Sequence, residues 1–343
     1  MSKPSLAALV ALLACLVGAP TAAAQTARYR LTVQNTWSET THPGAFPSGA
    51  HFSWMGGGTH DASVSFWAEG VLASPGVKEM AETGATNILL SEVGDAIALG
   101  SAWSGLSWPY WFCPVDTVSG QCGPLVVEFD IAASHPRVTL TTMLGPSPDW
   151  FVGVSGLPLH DGIAWADEIV VDLLPYDGGT RDANQWQLFG PLTTPPEPVS
   201  SITAESGQLV GPDSLGSFTF TRIGQIVDLG QALAGDFAPA LIAVGTLLPG
   251  DPVTLTTEDL PPASTAWLFL GTSELNQPMK GGVLVPDPIL TFVLPTGAGT
   301  LVLLGTLPAV VPSGAEFFAQ TWAPDAGAPS GACASNALQM VVP

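Results

Sequence analysis

The chain has 343 residues, of which 29 are acidic and 8 are basic, giving a formal net charge of −21. This balance argues against nucleic-acid binding, because phosphate contacts need lysine and arginine side chains. Hydrophobic residues make up 46% of the chain and charged residues 11%, which excludes a chain that is disordered throughout.

Residues 1–24 are predicted to form a cleaved secretion signal. Lys3 supplies the positive charge, LAALVALLACLV at 6–17 is the apolar segment, and AAA at 22–24 precedes a cut placed before Gln25. Lipidation at Cys15, in the sequence LLAC, is the alternative. The apolar run is shorter than the about 20 residues of a membrane-spanning helix. We therefore predict a secreted or cell-surface protein with no transmembrane segment.

The first part of the chain is predicted to consist mainly of strands, because glycine and proline are frequent and both are poor helix formers. The apolar patterns predict strands at 27–37, 123–131, 137–146 and 168–176. One helix is predicted at 77–84, where Gly84 provides the C-terminal stop.

The second part reads as short apolar runs between Gly/Pro turns. These runs lie at 252–260, 265–272, 289–295, 300–308 and 334–342. Strands of this length at intervals of about 8–12 residues favour an antiparallel sandwich or a closed antiparallel sheet. We place the domain boundary between residues 224 and 225, which gives domains 27–224 and 225–343.

Three cysteines follow the predicted cleavage point. Cys113 and Cys122 flank a turn-rich loop, and export exposes them to an oxidising compartment, so we predict a disulfide between them. Two unpaired thiols are the alternative. Cys333 has no evident partner and is predicted to be a buried apolar residue, with a bond between two chains as the other possibility.

Four motifs carry a family resemblance. They are YRLTVQNTWSETTHPGAFPSGAHFS at 29–53, GTHDASVSFWAEGVLASPGVKEMAETG at 58–84, PSPDWFVGVSGLPL at 146–159 and VDLLPYDGGT at 171–180. In this order they resemble the spondin N-terminal domain family (F-spondin/mindin-like). The resemblance implies an all-β protein with a C2-like antiparallel β-sandwich and a divalent cation, calcium, at one end of it. The second part resembles no functional module closely, and we expect a smaller accessory β-sandwich there.

The resemblance places calcium ligands on the carboxylates of Asp149 and Asp177 and on the carbonyl of Trp150. Calcium takes six to eight oxygen ligands, which carboxylates and carbonyls in sandwich-end loops can supply. Without the resemblance, an aspartate in such a Pro/Gly turn is typical of a turn-capping residue. The family usually has an acid four positions after Asp177, where this chain has Arg181. Either Asp182 takes that role after a one-residue insertion, or Arg181 occupies the cation site by pairing with the aspartates.

Other site chemistries have less support. His42, His51 and His60 are nine residues apart and lack the close His pairs typical of zinc sites. No nucleophile elbow, metalloprotease helix or phosphate-binding loop occurs in the sequence. A glycosidase needs two carboxylates at a defined separation, which the sequence does not fix. The acids that could form such a pair are Glu92, Asp95, Glu128 and Asp130.

We therefore predict a secreted, non-enzymatic binding or adhesion protein that acts at the cell surface or in extracellular matrix. Its ligand would be an extracellular protein or glycan, and the cation-stabilised loop end would be the contact region. Two alternatives stay open. One is a secreted hydrolase with a non-local catalytic site, and the other is a structural envelope protein cross-linked through Cys333.

Overall fold

The computed structural model describes residues 26–109, 125–182, 185–203 and 213–343. The predicted signal, the alternative lipidation site at Cys15 and the predicted Cys113–Cys122 disulfide lie outside these residues. The chain divides into two compact units, one of Gln25–Arg222 and one that contains Ile223–Pro343. Among the described residues, no helix is both long enough and apolar enough to cross a membrane.

The N-terminal unit is built mainly from strands. In chain order its elements are β1 (Thr26–Asn35), β2 (His51–His60), α1 (Pro75–Thr83), α2 (Asn87–Ala98), β3 (Ala102–Trp108), β4 (Leu125–Ala132), β5 (Arg137–Gly145), β6 (Trp150–Pro158), β7 (Glu168–Asp172), β8 (Pro175–Asp177), β9 (Ser200–Ser201) and β10 (Gly216–Ile223). They form one sheet in the order β4-β1-β10-β7 and another in the order β3-β2-β5-β6-β8-β9.

These two sheets enclose one apolar core. Strand β1 contributes Tyr29, Leu31 and Val33, and β10 contributes Phe218 and Phe220, all buried in the same cluster as residues of β2, β5 and β6. Alternate residues of β1 face this core, as the period of two in its sequence predicts. The prediction of an all-β sandwich is confirmed.

Two helices cover the outer side of the second sheet. Helix α1 begins after Ser74, whose Oγ accepts from the Val77 amide, and it ends at Gly84 with a left-handed φ of 75°. Helix α2 packs Leu89 and Val93 against Val77 and Met80 of α1, in an apolar cluster separate from the sandwich core. The prediction of a single helix was therefore wrong. In α2, Leu89 and Val93 are buried four positions apart and form an apolar stripe. Packing of this stripe stabilises a helix even though the chain as a whole is rich in poor helix formers.

The predicted strand at 168–176 is also wrong as a single element. Strand β7 pairs with β10 in the first sheet, whereas β8 pairs with β6 in the second. Leu173 lies between them and is fully buried. The continuous apolar run hides this change of sheet, because both halves alternate inward and outward in the same way.

The C-terminal unit consists of short antiparallel strands. They are β11 (Gln225–Gly230), β12 (Ala240–Val244), β13 (Pro252–Glu258), β14 (Thr265–Gly271), β15 (Glu274–Met279), β16 (Gly282–Pro286), β17 (Leu290–Pro295), β18 (Leu301–Thr306), β19 (Glu316–Pro324), β20 (Ala332–Ala334) and β21 (Ala337–Val341). The larger sheet has the order β11-β21-β19-β14-β17, and β20 also pairs with β19. A three-stranded sheet has the order β12-β13-β18, and β15 pairs with β16. Leu241 and Leu255 of the smaller sheet share a core with Leu268 and Leu338 of the larger one.

Cys333 lies in this unit with an exposed fraction of 0%. Its Sγ is 3.7 Å from the Ala323 carbonyl oxygen, and burial raises the pKa of the thiol to about 11. A buried, protonated thiol is a poor nucleophile. This environment argues against the cross-linked envelope protein that a reactive Cys333 would favour.

Candidate functional site

The predicted ligands Asp149, Trp150 and Asp177 meet at one end of the second sheet of the N-terminal unit. Asp149 directly precedes β6, and Asp177 is the last residue of β8. The two strands pair antiparallel with Trp150 opposite Asp177. Residues far apart in sequence are thereby brought together by one strand pair.

The Asp149 carboxylate is buried and unevenly satisfied. Its exposed fraction is 0%. Oδ2 accepts hydrogen bonds from the Thr180 amide at 2.7 Å, the Thr180 hydroxyl at 2.9 Å and the Arg181 amide at 2.9 Å. Oδ1 is equally buried but has no hydrogen-bond partner among the described residues. A buried carboxylate oxygen without a donor is energetically unfavourable, so this atom is the natural position for a cation or a proton.

Asp177 makes a local turn at the end of β8. Its Oδ1 accepts from the Gly179 amide at 2.7 Å, and its Oδ2 accepts from the Trp150 indole Nε1 at 3.2 Å. The Trp150 carbonyl oxygen lies 3.3 Å from the Ser147 hydroxyl. The turn-capping role and the ligand role expected of Asp177 are thus compatible, because each carboxylate oxygen has a second lone pair.

Burial sets the electrostatics of the two aspartates. Burial, and to a smaller extent the nearby charge of Asp177, raise the pKa of Asp149 to about 6 against the opposing hydrogen bonds of Thr180 and Arg181. Burial also raises the pKa of Asp177. Both carboxylates are therefore poorly neutralised by the protein when ionised.

Arg181 directs its guanidinium to a residue that the sequence analysis missed. Nη2 donates to Glu82 Oε2 at 2.5 Å, and Nη1 donates to the Gly190 carbonyl at 3.1 Å. Only the Arg181 backbone amide bonds to Asp149. The side chain is engaged with α1 and does not pair with Asp149 or Asp177. Glu82 carries no sequence signal for this role beyond its place in the last turn of a helix.

Thr180 links the two acids. Its Oγ1 lies 2.9 Å from Glu82 Oε1 and 2.9 Å from Asp149 Oδ2. A hydroxyl has one proton to donate, so it can satisfy only one of two ionised carboxylates at a time. This contact adds to the reasons for which Asp149 favours a proton or a cation.

Asp182, the fourth predicted ligand, is exposed. Its backbone amide donates to the Pro191 carbonyl at 2.8 Å. Within the described ranges, no three His, Cys, Asp or Glu residues group in a way that could hold a metal ion. A cation at Asp149 and Asp177 would therefore depend on carbonyl and water oxygens for its other ligands.

The three histidines have separate structural contacts. His60 is buried, with Nε2 2.7 Å from the Thr139 hydroxyl. His42 Nδ1 is 2.8 Å from the Thr41 hydroxyl, and His51 Nδ1 is 2.8 Å from the Gly49 carbonyl oxygen. These contacts do not form the shared nitrogen cluster that zinc needs.

Glu92 and Glu128, two of the acids considered for a glycosidase pair, serve structural contacts. Glu92 accepts from the Ser74 hydroxyl and the Gly76 amide at the start of α1. Glu128 pairs with Arg28 and Arg30 across β1 and β4. Ion pairs and helix caps of this kind are typical of stabilising residues.

Comparison with known proteins agrees with the motifs. The Spondin_N family model matches residues 27–210. Human Spondin-1 is 34% identical over 184 residues, which cover 52% of this chain and 22% of Spondin-1. Human Spondin-2 is 32% identical over 184 residues, which cover 52% of this chain and 54% of Spondin-2. The chain thus spans well under two thirds of either relative, but the family match covers more than half of the chain itself. The chain belongs to the Spondin_N family.

Proposed function

We propose that this protein is secreted and acts by non-enzymatic binding or adhesion at the cell surface or in extracellular matrix. We further propose that a calcium ion at Asp149 and Asp177 stabilises the contact region. The observation that carries the cation proposal is the buried, unpartnered Oδ1 of Asp149 near a second, partly buried aspartate, Asp177. Family membership supports an extracellular binding role.

The donor set suits a hard cation. Asp149 Oδ1, the Asp177 carboxylate and the Trp150 carbonyl are oxygen donors, and calcium prefers oxygen. Calcium would neutralise two anions whose pKa values are both raised by burial. With only two acids, and Asp182 as a further predicted ligand, we expect an affinity near the about 10⁻⁴–10⁻³ M of extracellular calcium modules.

The absence of catalytic motifs from the sequence supports a non-enzymatic role. Glu92, Glu128 and Asp130 are tied into a helix cap and ion pairs, which leaves them poorly suited to acid–base chemistry. An anionic chain of this kind would use calcium to neutralise its contact region before meeting a partner surface.

Calcium titration followed by thermal melting tests the cation site. We expect the melting temperature to rise with calcium, and this rise to be lost in the Asp149→Asn and Asp177→Asn variants. Asp172→Asn is the matched control, because Asp172 is exposed on β7, which belongs to the other sheet. No calcium-dependent rise in the parent chain, or an equal rise in all variants, would contradict the proposal.

Binding to extracellular matrix preparations and to glycan arrays tests the functional role. We expect binding that requires calcium, disappears with a chelator and is weakened in Asp177→Asn but not in Asp172→Asn. The competing hydrolase hypothesis predicts turnover on a panel of glycoside, ester and peptide substrates. Turnover without calcium-dependent binding would replace our proposal with that hypothesis.

A further inference from the structure

Strand β18 forms an open edge of the three-stranded sheet in the C-terminal unit. The sheet order is β12-β13-β18, so β18 pairs only with β13 among the described residues. No described strand pairs with its outer row of backbone N–H and C=O groups. The β13–β18 ladder runs from Pro252↔Thr306 to Thr257↔Leu301 without a register shift, which leaves the edge regular.

The solvent-facing side of this sheet carries exposed aliphatic side chains on both of its outer strands. Val302 and Leu304 on β18 are 55% and 71% exposed, and Ile242 and Val244 on β12 are 44% and 63% exposed. The register forms two cross-strand rows, both centred on threonines of β13: Ile242–Thr256–Val302 and Val244–Thr254–Leu304. Exposed aliphatic rows beside an open edge are typical of an interaction surface.

The β18 edge lacks the devices that usually prevent strand pairing. Natural proteins protect edges with charged residues, proline or bulges. Strand β11, an edge of the larger sheet, has a register shift between Asp228 and Gly230, and β17, its other edge, ends in Pro295. Strand β18 has the sequence LVLLGT and none of these features.

Charge points to a second copy of the chain as the partner. No charged residue occurs between Asp287 and Glu316, although acids are frequent elsewhere. Edge strands β4 and β7 carry acids, so pairing either with its own copy would oppose like charges, which is destabilising. Strand β18 can meet its copy without any such repulsion.

We propose that β18 pairs antiparallel with β18 of a second copy about a two-fold axis at Leu303. Val302 then lies opposite the partner's Leu304, and Leu304 lies opposite the partner's Val302. The two three-stranded sheets become one six-stranded sheet, in which the aliphatic side chains of the two β18 strands lie side by side. An interface of single short strands is smaller than the about 800 Å² per partner of a standard stable interface, so we expect a reversible dimer.

Analytical ultracentrifugation of the full chain over a wide concentration range tests this proposal. We expect a monomer–dimer equilibrium in the parent chain. The Val302→Glu/Leu304→Glu double variant opposes like charges across the junction and should raise the dimer dissociation constant by about tenfold or more. The Val302→Lys/Leu304→Glu double variant opposes unlike charges in the proposed register and should keep the constant within about threefold of the parent value.

The matched control is the Thr291→Glu/Val293→Glu double variant on β17, which adds the same charge at the same spacing to another edge strand. It should leave the dimer unchanged. Hydrogen exchange of residues 301–306 should slow as concentration rises, in the parent chain but not in the Val302→Glu/Leu304→Glu variant. Far-UV circular dichroism of each variant as a monomer checks that the fold is retained.

A parent chain that stays monomeric at every concentration would overturn the proposal. So would a dimer that the Val302→Glu/Leu304→Glu variant does not weaken. A Val302→Lys/Leu304→Glu variant that is as monomeric as the double-glutamate variant would overturn the antiparallel register.

Discussion

Asp149 Oδ2 receives two backbone amides and the Thr180 hydroxyl that it shares with Glu82, whereas Oδ1 has no partner among the described residues. The three bonds fix the turn after β8 against the turn before β6. The buried Oδ1 has no donor, so the protein compensates the ionised carboxylate only in part. Hydrogen bonds to Oδ2 thus hold the side chain in place, and Oδ1 keeps its lone pairs for a proton or a cation.

This imbalance predicts how stability depends on pH in cation-free buffer. The pKa of Asp149 is raised from 3.8 to about 6 in the folded state, so the folded state binds its proton more tightly than the unfolded state. The contribution of this proton to the free energy of unfolding is complete below pH 3.8 and is lost as the pH rises through about 6. The linkage relation gives a loss of about 2 kcal/mol in the free energy of unfolding between pH 4 and pH 7.

Urea denaturation of the parent chain and of Asp149→Asn at several pH values measures this loss. The asparagine can keep the hydrogen bonds from Thr180 and Arg181 through its carbonyl oxygen while removing the charge. We expect the variant to lack this part of the pH dependence and Asp172→Asn to keep it. The same pH profile in all three proteins would show that Asp149 does not titrate as inferred.

At the scale of elements, the link between α1 and the loop after β8 holds the site together. Glu82, in the last turn of α1, accepts from the Arg181 guanidinium and shares the single proton of the Thr180 hydroxyl with Asp149. The side chains of Glu82 and Arg181 are 8% and 21% exposed. The arginine that departs from the family pattern thereby tethers the loop that presents two amides to Asp149.

Removal of this tether should lower stability more than removal of a surface ion pair. Arg181→Ala leaves Glu82 buried with a weakened set of partners, and we expect a loss of about 2 kcal/mol in the free energy of unfolding. Arg30→Ala is the matched control, because Arg30 and Glu128 are 35% and 32% exposed. It should lose about 0–1 kcal/mol. Equal losses in urea denaturation would mean that the tether is no stronger than a surface pair.

The site and the strands differ in how far the sequence alone could predict them. Motif resemblance was enough to select Asp149, Trp150 and Asp177, because each lies inside a short recognisable segment. Glu82 could not be found in this way, since its partner Arg181 is 99 residues away and no local pattern links the two. Strand periodicity identified β1 and β5 well, but the change of sheet between β7 and β8 depends on tertiary pairing that periodicity does not encode.

At the scale of the whole molecule, each of the two units has apolar cores of its own among the described residues. Trp37, Trp150 and Phe218 belong to the core of the N-terminal unit, whereas Leu268 and Phe317 belong to a core of the C-terminal unit. Each core is enclosed by strands of its own unit. Units of this kind can unfold as separate cooperative blocks.

Differential scanning calorimetry should therefore resolve two transitions. Calcium binds the folded N-terminal unit in our proposal, so it should raise the midpoint of one transition only, by mass action. Asp177→Asn should abolish that shift and leave the other transition unchanged. A single transition that shifts as a whole would contradict independent unfolding of the two units.

The position of β10 has a practical consequence for anyone who dissects this protein. The family match ends at residue 210, whereas β10, at Gly216–Ile223, lies between β1 and β7 in its sheet and contributes the fully buried Phe218 and Phe220. A recombinant fragment cut at residue 210 would lose an interior strand and expose two raw edges and a gap in the core. Such a fragment should aggregate, and the shortest soluble version should extend past Ile223.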